Sequence, residues 1–290
     1  MMTIAVGRPG AADRVKTKAV ARAKGSKKSL DEIGRQAVFY RDAMLDIPIA
    51  IKHFPRETLR CVAEVALGSG ALALIGGTVV ICGFLTMTAG AVVALQGYAS
   101  LGDIGVEALT GFFAAYVNVR IAAPVIAGVG LAATIGAGAT AQLGAMRISE
   151  EIDALEVIGV RSVPYLASTR IVAGMIAIVP VYGVAVVASF LASRAITVVV
   201  WGQSGGVYDH YFTSFLVPTD LLWSFLQAIL MGLVVMLIHT YFGYNASGGP
   251  AGVGEAVGRA VRASLAAVVF VTLAVSLAVY GVSGNFNFAG

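Results

Sequence analysis

Two long stretches without a single charged side chain flank a dense acidic one, and that arrangement limits the folds open to this chain. Residues 121–146 carry no Asp, Glu, Lys or Arg, and neither do residues 171–193. Between them lies Met146-Arg147-Ile148-Ser149-Glu150-Glu151-Ile152-Asp153-Ala154-Leu155-Glu156-Val157-Ile158-Gly159. Each uncharged run is long enough to cross a bilayer, which takes about 20 apolar residues. A charged element this dense is excluded from hydrocarbon, where one ionised side chain costs roughly 3 kcal/mol or more. The acidic element therefore reads as a contact for a partner in water, set between two spans.

Composition agrees. The chain is 58% hydrophobic and 12% charged, with mean hydropathy +0.85, whereas a soluble domain carries roughly 25% charged residues. An integral membrane protein is expected. Its 35 glycines suit spans that pack closely through small residues. Cys61 and Cys82 read as free buried thiols. His53, His210 and His239 have no metal-ligand spacing. There is no phosphate-binding G-x-x-x-x-G-K-[ST] loop, so if ATP drives this protein another subunit hydrolyses it.

Residues 1–29 are a basic tail, with eight Lys and Arg against Asp13 alone. The tail lacks the apolar core of a cleaved signal peptide and is expected to be disordered. It reads as a positive-inside anchor or as a binder of anionic headgroups. Residues 30–60 mix apolar and charged positions and are expected to form an amphipathic interfacial helix bent at Pro48 and Pro55.

Five spans follow. The first lies within the 38 uncharged positions from Val65 to Gly102, and the second covers about 119–143. The third runs from Tyr165 into the 190s, the fourth covers about 220–243 and the fifth about 259–281. Residues 103–118 read as short surface structure, 201–218 as a loop and 244–256 as a Gly-rich turn. The tail, the interfacial helix, residues 147–170 and Arg259 with Arg262 hold 18 of the 20 cations. By the positive-inside rule the N-terminus and the acidic element are cytoplasmic and the C-terminus is outside. The fold class is thus all-α: an interfacial N-terminal helix, five transmembrane helices, and a cytoplasmic helix between spans 2 and 3.

That cytoplasmic helix, residues 145–159, is read with Ser149 as N-cap, Glu150 and Glu151 in its first turn and Gly159 as its stop. Ile148, Ile152 and Leu155 recur at helical spacing as one apolar face. Arg120 reads as a snorkelling cation, a headgroup contact, or a partner for Asp103 or Glu107. Gln96 and Tyr98 read as interfacial anchors or as lining for a lipid path. Arg194 reads as an outer anchor and Asp220 as a helix cap. Gly136, Gly138 and Gly144 read as close-packing positions.

These residues resemble the MlaE/YrbE permeases of lipid-transporting ABC systems. The likeness rests on Leu95-Gln96-Gly97-Tyr98, on Arg120 and Pro124 with the Gly-rich run to Gly144, on Met146 to Glu156, on Asp220, and on Gly248 to Gly254. The segment 142–159 is the most specific to the family. The basic tail and the wording of the central motif resemble the actinobacterial Mce branch, its B-type YrbE subunit.

The resemblance implies a permease domain over 61–290 and a plasma-membrane location. A cytoplasmic ATPase dimer that binds ATP and Mg would dock on Arg147, Ile148, Glu150, Glu151, Ile152, Asp153, Leu155 and Glu156. MCE-domain proteins would stand outside. It also implies a lipid cavity or its mouth near Gln96, Tyr98, Arg120, Ile121, Thr134 and Gln227. The permease itself is expected to be non-enzymatic, to hold no cofactor or metal, and to bind no nucleic acid. Four charges common in the family are neutral here, at Ile121, Thr134, Gln142 and Gln227. Their joint loss points to a heterodimer with a related permease that keeps them, or to a homodimer with a more apolar cavity. Fatty or mycolic acid, sterol and phospholipid cargo all suit such a cavity, with import favoured by resemblance. Other classes consistent with the apolar spans are a passive or ion-coupled transporter and a membrane scaffold. Spans nearly free of ionisable groups argue against ion coupling.

Overall fold

The computed structural model describes residues 31–67 and 73–281; the basic tail expected at 1–29 lies outside them. No strand occurs among the described residues. Helix α1 spans 31–45, followed by α2 (Ile47–His53) and α3 (Pro55–Leu67). The two breaks fall where Pro48 and Pro55 open the next helix, because proline fits the first turn and disfavours helix in the residue before it. Among the described residues five helices are long and apolar enough to cross a membrane: Thr78–Gly102, Glu107–Ile148, Val163–Val200, Pro218–Tyr244 and Gly249–Val279, here spans 1 to 5. This is an all-α, multi-pass integral membrane protein.

Spans 2 and 4 form the centre. Half of each is buried, against 22% of span 5, which leaves Val269, Phe270, Leu273 and Leu277 exposed as a broad apolar face. Leu131, Ile171, Met231 and Val235 make the continuous core, with Val268 of span 5 against them. Spans 2 and 4 lie side by side in parallel, in one register along their length. The Ser224 hydroxyl donates to the Val119 carbonyl, Met231 sits against Gly128, and His239 sits between Gly136 and Thr140.

Helix α1 packs across the end of span 4, where Phe39 meets Tyr241 at 5.5 Å and Tyr244 at 5.4 Å between ring centroids. Arg161 donates to both Asp46 oxygens at 2.9 and 3.0 Å, tying α1 and α2 to the chain just before span 3.

Three segments differ from the sequence expectation. Residues 107–117 are continuous helix with span 2, not separate surface structure. At 42 residues span 2 is about 63 Å long, twice the hydrocarbon thickness, so its first turns extend past the apolar layer. Residues 201–218 are not a loop, since Gly205–Phe215 is helical and stacks on those turns through Phe112–Phe215 contact at 4.8 Å. The Gly-rich stretch 244–256 is mostly span 5. Its turn is short, with Gly248 and Gly249 at φ +91° and +69°, the left-handed region where a Cβ would be strained.

The first two differences, at 107–117 and 205–215, have one cause. Amphipathic helices that cap a bundle carry enough polar residues to look like loops, and only their packing partners make them helical.

Candidate functional site

Span 2 does not stop near residue 143 but runs to Ile148. Ser149 is therefore not an N-cap. Its hydroxyl turns back to the Ala145 carbonyl at 3.0 Å and lies 2.9 Å from the Glu151 carboxylate. The reversal falls at Glu150, a non-glycine residue at φ +61°. The acidic helix proper is Glu151–Val157, shorter than the expected 145–159. Its far end follows the sequence reading. Gly159 takes φ +81°, its N–H donates to Glu156 and that of Val160 donates to Leu155, the paired bonds of a Schellman stop.

The break at Ser149–Glu150 changes the phase of the apolar pattern. Ile148 belongs to span 2 and is partly exposed. Ile152 is fully buried against Leu143 and Leu166, with Leu155 beside them. The apolar stripe thus seats the acidic helix on its own bundle and does not face a partner. What its far end exposes instead is Val157 at 87% and Ile158 at 72%, while Glu150, Glu151 and Asp153 are exposed at its first turn. Two adjacent large apolar side chains on a polar element outside the spans gain most in a contact.

The acidic helix is bonded to its neighbours through side chains. Arg147 pairs with Asp153 at 2.6 Å across the break. Glu156 accepts from Ser162 at 2.6 Å and from Tyr244 at 3.3 Å. These bonds link the acidic helix to spans 2 and 4 and to the residue just before span 3.

At the other end a ladder of polar contacts joins four spans. Asn118 donates to the Ser193 hydroxyl at 2.8 Å, which donates to the Gly90 carbonyl at 2.8 Å. Arg120 pairs with Asp220 at 2.6 Å and lies 4.1 Å over the Tyr116 ring. Neither Asp103 nor Glu107 is its ion-pair partner, and Asp220 spends its carboxylate on this pair while Val217 stands at the N-cap. The five-residue π-helical segment 118–122 lies just ahead of Pro124, whose ring would otherwise strike the carbonyl of the preceding turn. Arg194 pairs with Asp209 through two bonds of 2.8 Å. Arg194 lowers the Asp209 carboxyl below its usual range, chiefly by hydrogen bonding.

A family model described as Permease MlaE matches residues 68–278. The chain belongs to the MlaE permease family. Similar proteins include a "Probable ABC transporter permease protein" of Rickettsia bellii (strain RML369-C), 28% identical over 176 residues covering 61% of this chain and 68% of the relative. The "Intermembrane phospholipid transport system permease protein MlaE" of Haemophilus influenzae is 26% identical over 231 residues, covering 79% of this chain and 84% of the relative. The chloroplastic "Protein TRIGALACTOSYLDIACYLGLYCEROL 1" of Arabidopsis thaliana is 28% identical over 149 residues, 51% of this chain and 43% of its own.

In this MlaE permease the candidate lipid residues are spread out. Gln96 is exposed and bonds Ser100 at 3.0 Å. Tyr98 stacks on Trp201 at 4.6 Å. Ile121 is half exposed, and Thr134 donates to the Gly130 carbonyl at 2.7 Å. Ile121 and Thr134 lie roughly 20 Å apart along one helix, so they do not form one pocket. Gln227 is 2% exposed, and neither its amide nitrogen nor its oxygen has a partner. It lies two turns after Asp220 on the same face of span 4. Gly136 and Gly144 are close-packing positions, since a Cβ there would sit 2.6 Å from His239 and 2.8 Å from Val253. Gly138 has open space over it.

Sequence reasoning passed over two buried polar residues. His239 joins spans 2, 4 and 5 through Thr140 at 2.7 Å and Ser264 at 3.2 Å. Arg170 is 6% exposed at the start of span 3. The signal for both was an ionisable residue beside or within an apolar run.

Proposed function

We propose that this chain is the non-enzymatic membrane subunit of an ATP-driven lipid transporter. The acidic helix and the exposed pair Val157 and Ile158 receive a cytoplasmic ATPase, which binds and hydrolyses ATP with Mg. Closure of the ATPase presses on the acidic helix, and the Glu156–Ser162–Tyr244 bonds carry that displacement into spans 3 and 4 as a rigid-body shift. The observation that carries the reading is this helix: a short element bonded to the bundle, with Ile152 buried beneath it, acids exposed at its first turn and Val157 and Ile158 exposed at its far end. The name of the Haemophilus influenzae relative supports phospholipid as the cargo class.

The finer assignment follows from the neutral positions. With Ile121, Thr134, Gln142 and Gln227 uncharged, this chain pairs with a related permease that keeps those charges. MCE-domain proteins stand outside and lipid or fatty acid is imported, as in the actinobacterial branch. The protein sits in a bacterial plasma membrane with its N-terminus and acidic helix cytoplasmic and its C-terminus outside.

The test replaces Glu150 and Glu151 by Lys together. The expected result is normal membrane insertion with the ATPase absent from the purified complex and lipid uptake abolished. Wild-type ATPase yield and wild-type uptake from that variant would overturn the reading. Native mass spectrometry of the complex reports the pairing: one copy of this chain with a second permease supports the heterodimer, and two copies overturn it.

A further inference from the structure

The guanidinium of Arg170 is buried and incompletely used. Its Nη1 donates to the Leu166 carbonyl of its own helix at 3.0 Å, and its Nη2 reaches only the Met146 sulfur at 3.9 Å. Its Nε has no acceptor, and no ion pair holds it among the described residues. A buried cation with an idle donor is costly, so the surroundings matter.

Arg170 lines a cavity of about 50 Å³ between α3 and spans 2, 3 and 4, with Cys61, Glu64, Gly138, Gln142 and Met236. Besides Arg170 the one charged side chain lining it among the described residues is Glu64 of α3, with Arg60 and Glu57 behind it on the same helix. Arg60 sits between Glu57 at 2.6 Å and Glu64 at 2.7 Å and occupies both carboxylates. Span 2 contributes the neutral amide of Gln142, and span 4 contributes Met236. The four local charges sum to zero, but the hydrogen-bonding need of Arg170 stays unmet. One water takes roughly 10–15 Å³ on this measure, so the cavity admits a few waters or one compact oxyanion. A guanidinium edge matches a carboxylate or phosphate better than it matches water.

The mouth of the cavity sets the source of the anion. Gln142 is exposed, Glu64 keeps a third of its side chain accessible, and the face of Gly138 is open. Glu64 is the last charge before the 38-residue uncharged run, and Gln142 lies near the end of the run 121–146. That is the level of the membrane boundary beside the acidic helix, where lipid headgroups are dense.

We propose that this cavity is a resident lipid site in which the oxyanion of an anionic headgroup binds Arg170. The lipid is a fixed component of the subunit, separate from any cargo, so the site stands whether or not the transport reading holds.

The test compares thermal unfolding of the protein in nanodiscs of phosphatidylcholine alone and of phosphatidylcholine with phosphatidylglycerol. Wild type is compared with two variants, Arg170→Gln and Gln142→Glu, the second placing a carboxylate on the lining of the Arg170 cavity. The expected result is a rise of about 3 °C for the wild type on adding phosphatidylglycerol. Gln142→Glu is already raised in phosphatidylcholine and loses that response, as does Arg170→Gln. Inorganic phosphate added to wild type in phosphatidylcholine leaves it unchanged. An undiminished response in Gln142→Glu would overturn the site even if Arg170→Gln fails to fold. A full response to inorganic phosphate would overturn the lipid source, and no response in the wild type would leave the cavity to water and overturn the proposal.

Discussion

Arg120 and Asp220, one hundred residues apart, meet at 2.6 Å with side chains only 15% and 21% exposed. The pair fixes the start of span 4 against span 2 and sets the register of both for the turns that follow.

Breaking that pair exposes its role. Asp220→Ala removes the carboxylate facing a largely buried guanidinium and is expected to destabilise by about 2 kcal/mol, below the cost for a fully buried pair because some water reaches it and the Tyr116 ring stays against it. Adding Arg120→Met should recover most of the loss. Thermal unfolding of the two single variants and the double in one detergent checks this, and additive losses would refute the coupling.

Gly136 has no room for a side chain, since a Cβ would lie 2.6 Å from the His239 ring. Gly136→Ala should cost roughly 1–3 kcal/mol, and His239→Ala on the same background should return part of it. An unchanged unfolding midpoint for Gly136→Ala would contradict this packing.

The acidic helix separates anchoring from contact. Ile152→Ala removes its only fully buried side chain and should cost about 3 kcal/mol, seen as faster protease cleavage near residues 149–160. Val157→Ser should leave stability within about 0.5 kcal/mol and weaken ATPase capture. Equal ATPase binding by wild type and Val157→Ser would remove Val157 from the contact.

Gln227 keeps a buried carboxamide with no partner. Gln227→Leu should therefore raise stability by about 1–2 kcal/mol. If the amide serves lipid, the same variant retains less lipid on purification, as read by mass spectrometry. A fall in stability would show that the amide is satisfied in the working protein.

Glu57 gives a pH test. Hydrogen bonds from Arg60 hold its carboxyl below the ordinary Glu value, outweighing the upward push of burial. A depressed folded value means that the stabilisation is complete above the unfolded value of about 4.3. It is lost as pH falls through the folded value. Glu57→Gln should flatten the acid limb of stability between about pH 5 and pH 3, and an unaltered limb would exclude Glu57 as a contributor.

The sequence alone determined the class of this protein. Uncharged runs of membrane length leave helices as the simplest way to satisfy every backbone group in lipid, so five spans and the stop at Gly159 were legible from composition and local chemistry. The Pro48 and Pro55 breaks were legible for the same reason, because proline acts on its immediate neighbours. Tertiary structure decided which residues meet. Asp220 looked like a local cap until span 4 was set beside Arg120. Ile148, Ile152 and Leu155 looked like one face until the left-handed turn at Glu150 put Ile148 on a different helix. Helix Gly205–Phe215 is formed against residues 107–117, and Arg170 is buried by α3 and span 2. Each of these depends on contacts between segments far apart in the chain, whereas local sequence periodicity reports only on residues a turn or two away.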